Sequence, residues 1–351
     1  RAGLMRAAVL TRVRAPLEVA EIEDPDCPED GVVLRVLACG VCRSDWHAWV
    51  GSDPHVVAPF VLGHEFCGEV VEVGPGVTRW REGDQVIAPF ILACGQCGDC
   101  QAGHQTICAS QAVPGFTIPG AFAERIAVPH ADANLTALPE EMAPALAAAL
   151  GCRVTTAWHA LTGRAALRPG EWLGIWGGGG VGLAALMLGR AMGARVALAD
   201  TVPEKRDLAL ELGAEVVIDG ARDDPAEEMR EATGGGVHMA VEALGITATT
   251  AAALRSCRKL GRMVQIGMPA GAEATMALPW DAVYSGQLAV FGTRGMPAHR
   301  YPNLLGFLEA TGLDLSPMIA REVGLSDVSA ELAAFDGPTP PGVAVVTDFS
   351  A

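Results

Sequence analysis

The chain has 351 residues, half of them apolar, with 42 glycines, 10 cysteines and a formal net charge of -16. That length holds a large core and favours two domains, while the negative balance excludes a nucleic-acid binder, which needs a positive field along the phosphate backbone. No apolar run reaches the length a membrane-spanning helix needs, since the stretch "VGLAALMLGRAMGA" is too short and carries Arg190, so no membrane partner is expected.

The opening "RAGLMRAAVLTRV" lacks the continuous apolar segment of a secretory signal, and Met5 is a candidate natural start, so a cytoplasmic location is expected. From Met5 to about residue 150 the chain reads as short strands punctuated by Gly/Pro turns, among them "GVVLRVLACGV", "GEVVEVGPGV" and "GDQVIAPF". The alanine-rich "EEMAPALAAALGCRVTTAWHAL" then changes to helical spacing, with a proline near its start. After residue 171 the pattern alternates: "EWLGIWG" strand, "GLAALMLGRAMGA" helix, "RVALAD" strand, "PEKRDLALELGA" helix, "EVVID" strand. That alternation predicts βαβ units and a parallel sheet covered by helices. Beyond residue 295 a helix over "YPNLLGFLEA" and short elements ending in "GVAVVTDF" look like a return to the first domain.

Four cysteines fall within "CGQCGDCQAGHQTIC": Cys94, Cys97, Cys100 and Cys108, spaced C-x2-C-x2-C-x7-C. Four thiolates at such intervals close a tetrahedron around zinc and leave no position for water. An iron–sulfur run prefers a C-x2-C-x2-C-x3-C-P pattern, and a redox pair needs only two cysteines at a helix start. A closed structural zinc site is the expected outcome. The other six cysteines are scattered, which reads as reduced thiols and ligands rather than a disulfide framework.

"GIWGGGGVG" places Gly177, Gly179 and Gly182 in G-x-G-x-x-G spacing, with Gly180 and Val181 inside the motif. A strand precedes it, a helix follows, and Asp200 closes the next strand where a ribose-binding acid belongs. A carboxylate there repels a 2′-phosphate, so NAD is expected over NADP, although Lys205 and Arg206 could assist a phosphate.

A further set carries chemistry. "CGVCRSDWH" holds Cys42, Arg43, Ser44, Asp45, Trp46 and His47; "LGHEFCG" holds His64 and Glu65; "GCRVTTAWHAL" holds Cys152 and Thr156. Spacing alone does not join positions this far apart, and a lone cysteine or histidine is ordinarily core filler. These pieces, however, occur together with "GHEFCGEVVEVG", "GDQVI", the four-cysteine clip and "GGGGVG" plus Asp200, in one order over nearly the whole chain. The chain thereby resembles the medium-chain, zinc-dependent alcohol dehydrogenases. The resemblance implies an α/β two-domain fold: a mostly-β GroES-like catalytic domain over residues 5–152 and 295–351, and an inserted Rossmann NAD-binding domain over 153–294.

It further implies that Cys42, His64 and Cys152 hold a catalytic zinc, so that with the clip the chain carries two zinc ions. Asp45 then orients His64, and Glu65 lies near the metal. Ser44 touches the substrate oxygen, and His47 ends a proton relay to solvent. Arg43 pairs with the cofactor pyrophosphate, Thr156 lies by the nicotinamide, and Trp46, Phe90, Met268 and Val290 line an apolar substrate pocket. The implied activity is reversible oxidation of primary or secondary alcohols to aldehydes or ketones with NAD. Polyol, diol or sugar oxidation is the alternative and is less favoured, because sugar enzymes of the superfamily often carry glutamate where this chain has the alcohol-type Cys152. A non-enzymatic structural relative is the remote one, because none of the three ligands is damaged. A homo-oligomer is expected, tetramer over dimer.

Overall fold

The computed structural model describes residues 3–350; Ala351, the last residue of the expected return segment, lies outside them. Two larger sheets organise the chain. One has seven strands on its main path and attached to it, and is mixed: Val32–Val41 pairs antiparallel with Glu65–Val73, Arg125–Val128 and Val343–Asp348. Ile319–Gly324 joins its edge in parallel. A small antiparallel sheet of Leu4–Leu10, Glu18–Glu23 and Phe60–Val61 stands beside it. Because Val343–Asp348 pairs with Val32–Val41, a late strand completes the sheet that an early one starts, and the segment that forms the second large sheet is inserted between them.

The inserted sheet is wholly parallel, with strands in the spatial order Val216–Asp219, Arg195–Asp200, Trp172–Trp176, Val237–Glu242, Cys257–Gln265, Ala289–Gly292. Helices on its faces bury the central strand on both sides, and every residue of Trp172–Trp176 is buried. Chain order reverses beside that strand, and such a switch point opens a crevice at the carboxyl ends of the strands. The architecture is therefore the GroES-like plus Rossmann arrangement.

A helical run over 144–164 joins the two parts. It begins as Pro144–Ala149, widens to a π turn over Leu150–Val154, tightens at Thr155–Trp158 and widens again over His159–Arg164. The expected domain boundary at 152/153 thus falls inside one continuous helix. One hydrophobic core follows this run from Ala38, Cys67 and Ile87 on the first sheet to Leu173 and Ile175 on the second and Leu186 on the helix Gly180–Ala191 that covers it. Among the described residues no helix is long and apolar enough to cross a membrane.

Candidate functional site: a metal cradle beside a nucleotide cleft

Strand register explains why distant residues meet. Gly40 is paired with Glu65, so Cys42 and His64 lie just past the ends of two neighbouring strands. The π turn carrying Cys152 packs on the same spot: a Cβ on Gly151 would lie 3.3 Å from Phe66 N. The ligand atoms of Cys42, His64 and Cys152 fall within 4.8 Å of one another, and all three residues are buried. π turns frequently mark functional positions because the wider turn re-aims a side chain.

Asp45, fully buried, organises this cradle. His64 Nδ1 donates to Asp45 Oδ1 at 2.9 Å, Gly63 N donates to the same oxygen at 3.2 Å, and Cys42 N donates to Oδ2 at 2.9 Å. The carboxylate thereby fixes the tautomer in which Nε2 offers its lone pair. His64 Nε2 is buried and has no hydrogen-bond partner. An orphaned imidazole nitrogen aimed at two sulfurs fits a metal ion, which would satisfy all three donors. Phe90 and Phe116 stand edge-on to the imidazole, with ring centroids 5.8 Å and 5.4 Å away.

Ser44 and His47 lie three residues apart on the short helix Arg43–Trp49 and so share a face. Ser44 Oγ is 3.9 Å from Cys42 Sγ. His47 Nδ1 is buried without a partner, and burial together with the Arg43 charge pushes its pKa below the usual histidine value. Glu65 turns towards Arg153 rather than the sulfurs: its Oε1 accepts from Arg153 N at 3.1 Å, and its Oε2 lies 2.9 Å from Arg153 Nη1. Burial pushes the Glu65 carboxyl up to about 7, against the opposing pull of Arg153.

In the clip, Cys97 Sγ lies 3.5 Å from Cys100 Sγ and 3.9 Å from Cys108 Sγ, while Cys108 and Cys94 are 3.5 Å apart. Those separations are far beyond the about 2.05 Å of a disulfide, and all ten cysteines are unpaired. The backbone amides of Gln96 and Cys97 point at Cys94 Sγ, at 3.5 Å and 3.4 Å. Amides donating to sulfur stabilise thiolates, the form that binds metal.

The nucleotide motif lies where the switch point predicts. Gly177 has φ +106° and a Cβ on Gly182 would sit 1.9 Å from Gly177 O, so neither position tolerates a side chain. Gly179, by contrast, faces open space, and helix Gly180–Ala191 begins there with no side-chain cap. Its free amides and macrodipole look into a cleft of about 780 Å³ walled by Arg43, Gly179, Gly180, Val181, Asp200 and Lys205 among others. Bare amides, an open glycine cradle and this volume fit a dinucleotide.

Asp200 accepts from Gly178 N at 2.7 Å and from Val202 N at 2.9 Å, and Lys205 Nζ donates to Thr339 Oγ1 at 2.7 Å. Arg43 donates to Phe335 O at 2.8 Å and stacks 4.1 Å over the Trp46 ring. Thr156 is buried on the helical run and is not part of the cleft wall.

The expected substrate-pocket residues are not all brought together. Phe90 reaches His64, but the Trp46 indole donates to Asp336 Oδ1 at 3.0 Å, and Met268 and Val290 are 38% and 40% exposed, outside the cleft wall. Of these three, only Val290 lies on the edge strand Ala289–Gly292; Trp46 is on the helix Arg43–Trp49 and Met268 on the loop after Cys257–Gln265. Phe116 escaped the sequence reading because "VPGFTIPG" carries no chemical signal. His159, on the second π turn, has its Nδ1 2.8 Å from Gly295 O.

Comparison with known proteins agrees with this geometry. The description "alcohol dehydrogenase GroES-like domain" matches residues 28–140, and "zinc-binding dehydrogenase" matches 180–310. An alcohol dehydrogenase of Geobacillus stearothermophilus is 38% identical over 269 residues, 76% of this chain and 78% of that protein. An L-threonine 3-dehydrogenase of Saccharopolyspora erythraea is 32% identical over 324 residues, 90% and 92% of the two chains. The structure of alcohol dehydrogenase TADH from Thermus sp. ATN1 superposes with a TM-score of 0.88 at 29% identity, covering 98% of this chain and 100% of that one. With its paired cysteine clusters, GroES-like sheet and Rossmann sheet, the chain belongs to the medium-chain zinc-dependent alcohol dehydrogenase family and is an NAD(P)-dependent oxidoreductase.

Proposed function

We propose that the protein oxidises primary and secondary alcohols with NAD, with one zinc in the Cys42–His64–Cys152 cradle and one in the clip. The observation that carries this reading is the unsatisfied His64 Nε2 facing two thiols between the rings of Phe90 and Phe116. When bound, zinc would supply Lewis acidity to the substrate oxygen and the nicotinamide would accept the hydride. Asp45 holds the His64 ring in place, and the two phenylalanines keep water from the reacting carbon. Ser44 accepts the hydroxyl proton as it gives up its own, and His47, held in the neutral form by its burial and the Arg43 charge, is the base that receives that proton.

An apolar wall favours simple aliphatic or aromatic alcohols. The L-threonine 3-dehydrogenase relative supports a second reading, oxidation of a hydroxyl flanked by polar groups. A panel of ethanol, benzyl alcohol, 2-butanol, butanediol, sorbitol and L-threonine, followed by NADH absorbance, is expected to rank benzyl alcohol and 2-butanol first. Sorbitol or L-threonine outperforming every neutral monoalcohol would reverse the assignment.

Asp200 is the proposed ribose reader. Asp200→Gly should weaken NAD about tenfold or more, the worth of a hydrogen bond to a charged group, and leave NADP less affected. An unchanged NAD/NADP ratio of binding constants would remove Asp200 from that role. We also propose a homo-oligomer, a tetramer in preference to a dimer. Edge strand Ala289–Gly292 has one partner among the described residues, and Trp280, Tyr284 and Val290 are exposed around it. Light scattering on the eluting protein is expected to give four chains, and a monomer mass would refute the assembly.

A further inference from the structure

Arg153 is an arginine in an unusual position: only 4% exposed, on the π turn directly after Cys152. Its backbone N and its Nη1 are both engaged by the Glu65 carboxylate, and its Nη2 donates to Val41 O. Glu65 follows His64, Val41 precedes Cys42, and Arg153 itself follows Cys152. The guanidinium of one cradle residue's neighbour therefore holds the neighbours of the other two.

The other edge of the same side chain meets the nucleotide motif. A Cβ on Gly180 would lie 2.5 Å from Arg153 Cδ and 2.9 Å from Nε, so the arginine stem is in contact with the first residue of helix Gly180–Ala191. Arg153 is part of the cleft wall together with Gly179 and Gly180. Its Nη1 and Glu65 Oε2 are close enough for an ion pair, yet neither atom makes a hydrogen bond, so a buried N–H remains unspent. Removing both charges from water is expensive, and an apolar pair of the same shape would pack here at lower cost. A planar fork that reaches backbone, carboxylate and an anion-ready helix start at once is what lysine or an apolar residue lacks.

We propose that Arg153 is a positioning residue that couples the metal cradle to the diphosphate of the bound dinucleotide. It fixes Val41 and Glu65 on one side, and on the other it adds its positive charge to the uncapped amides of the Gly180 helix. The proposal rests on reading the cleft as a dinucleotide site. Binding of the diphosphate strengthens the field that holds the guanidinium in place, and the guanidinium passes that order to Cys42 and His64 through their neighbours.

Two variants separate this from a role in folding. Arg153→Met combined with Glu65→Gln leaves no lone buried charge, and Arg153→Lys keeps the charge but loses the fork. Calorimetric titration with ADP-ribose, which carries the diphosphate, and with adenosine, which does not, gives a readout independent of turnover. The double variant is expected to bind ADP-ribose about tenfold more weakly, the scale of one lost charge-assisted contact, and adenosine unchanged, with zinc content and Tm preserved. Arg153→Lys should bind ADP-ribose within about threefold of the parent, yet lose about tenfold or more in kcat at unchanged KM for alcohol. ADP-ribose affinity equal to the parent's in the double variant overturns the proposal. So does an equal loss for both ligands with a lowered Tm, which marks Arg153 as packing alone. If the parent protein binds neither ligand, the dinucleotide reading of the cleft itself fails, a result distinct from either of these.

Discussion

His64→Ala is expected to remove hydride transfer and to lower the metal content from two zinc ions per chain to one, the remaining ion residing in the clip. Loss of an outer hydrogen-bond partner of a metal ligand costs about 10–100-fold in metal affinity or activity; loss of the ligand itself leaves two thiols and no imidazole, so the decrease should exceed that range. Folding should survive the change. Asp45 keeps its bonds from Gly63 N and Cys42 N when the imidazole is gone, so no buried carboxylate is left without donors. The cavity lies between Phe90 and Phe116, whose rings can close part of it. Elemental analysis on freshly purified protein, with initial rates on the same sample, checks both halves. A variant that keeps two zinc ions and full activity would dismiss the cradle. One that loses both ions would tie the two clusters together through folding.

What was legible in the sequence was local. The clip is closed by residues within one loop, so its spacing carries the geometry almost unaided. The nucleotide motif is similarly compact, because the strand before Gly177, the helix after it and Asp200 on the next strand are consecutive elements. The cradle is different in kind. Cys42 and His64 meet because Gly40 pairs with Glu65, and nothing in either segment states that register. Cys152 joins them through a π turn that the alanine-rich spacing reads as plain α-helix. Resemblance to a family supplied the grouping that spacing could not.

Side chains that act across the molecule were invisible for the same reason. Arg153 looks like one charged residue in an amphipathic helix, and only the folded chain shows it between Glu65, Val41 O and Gly180. Phe116 reaches His64 from a turn that reads as irregular. Met268 and Val290 show the converse: matched position suggests a pocket wall, whereas in the single chain Met268 is open on the loop after Cys257–Gln265 and Val290 is open on the edge strand. Local pattern determines which elements form. Register and packing determine which side chains meet, and catalysis depends on the second.

The clip supports a stability prediction of comparable size. Its sulfurs and Ala93 form the lobe's small apolar cluster, and three glycines at 95, 98 and 103 lower its intrinsic order. Cross-linking by metal must then supply the local folding energy, as it does in small zinc modules. Cys97→Ala is expected to lower Tm by roughly 5 °C or more, the shift that a few kcal/mol produces in a large protein. The disturbance should stop short of the cradle. The lobe is anchored elsewhere by Asn134, which accepts from Ala93 N at 2.8 Å and donates to Ala93 O at 2.9 Å, and by Gln105 beside His299. One strut does run towards the substrate side: Arg294 donates to Gln111 Oε1 at 2.6 Å and lies 5.4 Å over the Phe90 ring. Partial loss of that strut should raise KM for alcohol while the soluble fraction keeps its cradle zinc and most of its kcat. Metal content, thermal scans and initial rates on the folded fraction together decide the matter. A variant with unchanged Tm and its full zinc complement but no hydride transfer would place the clip in the chemistry and end the division of labour between the two cysteine clusters.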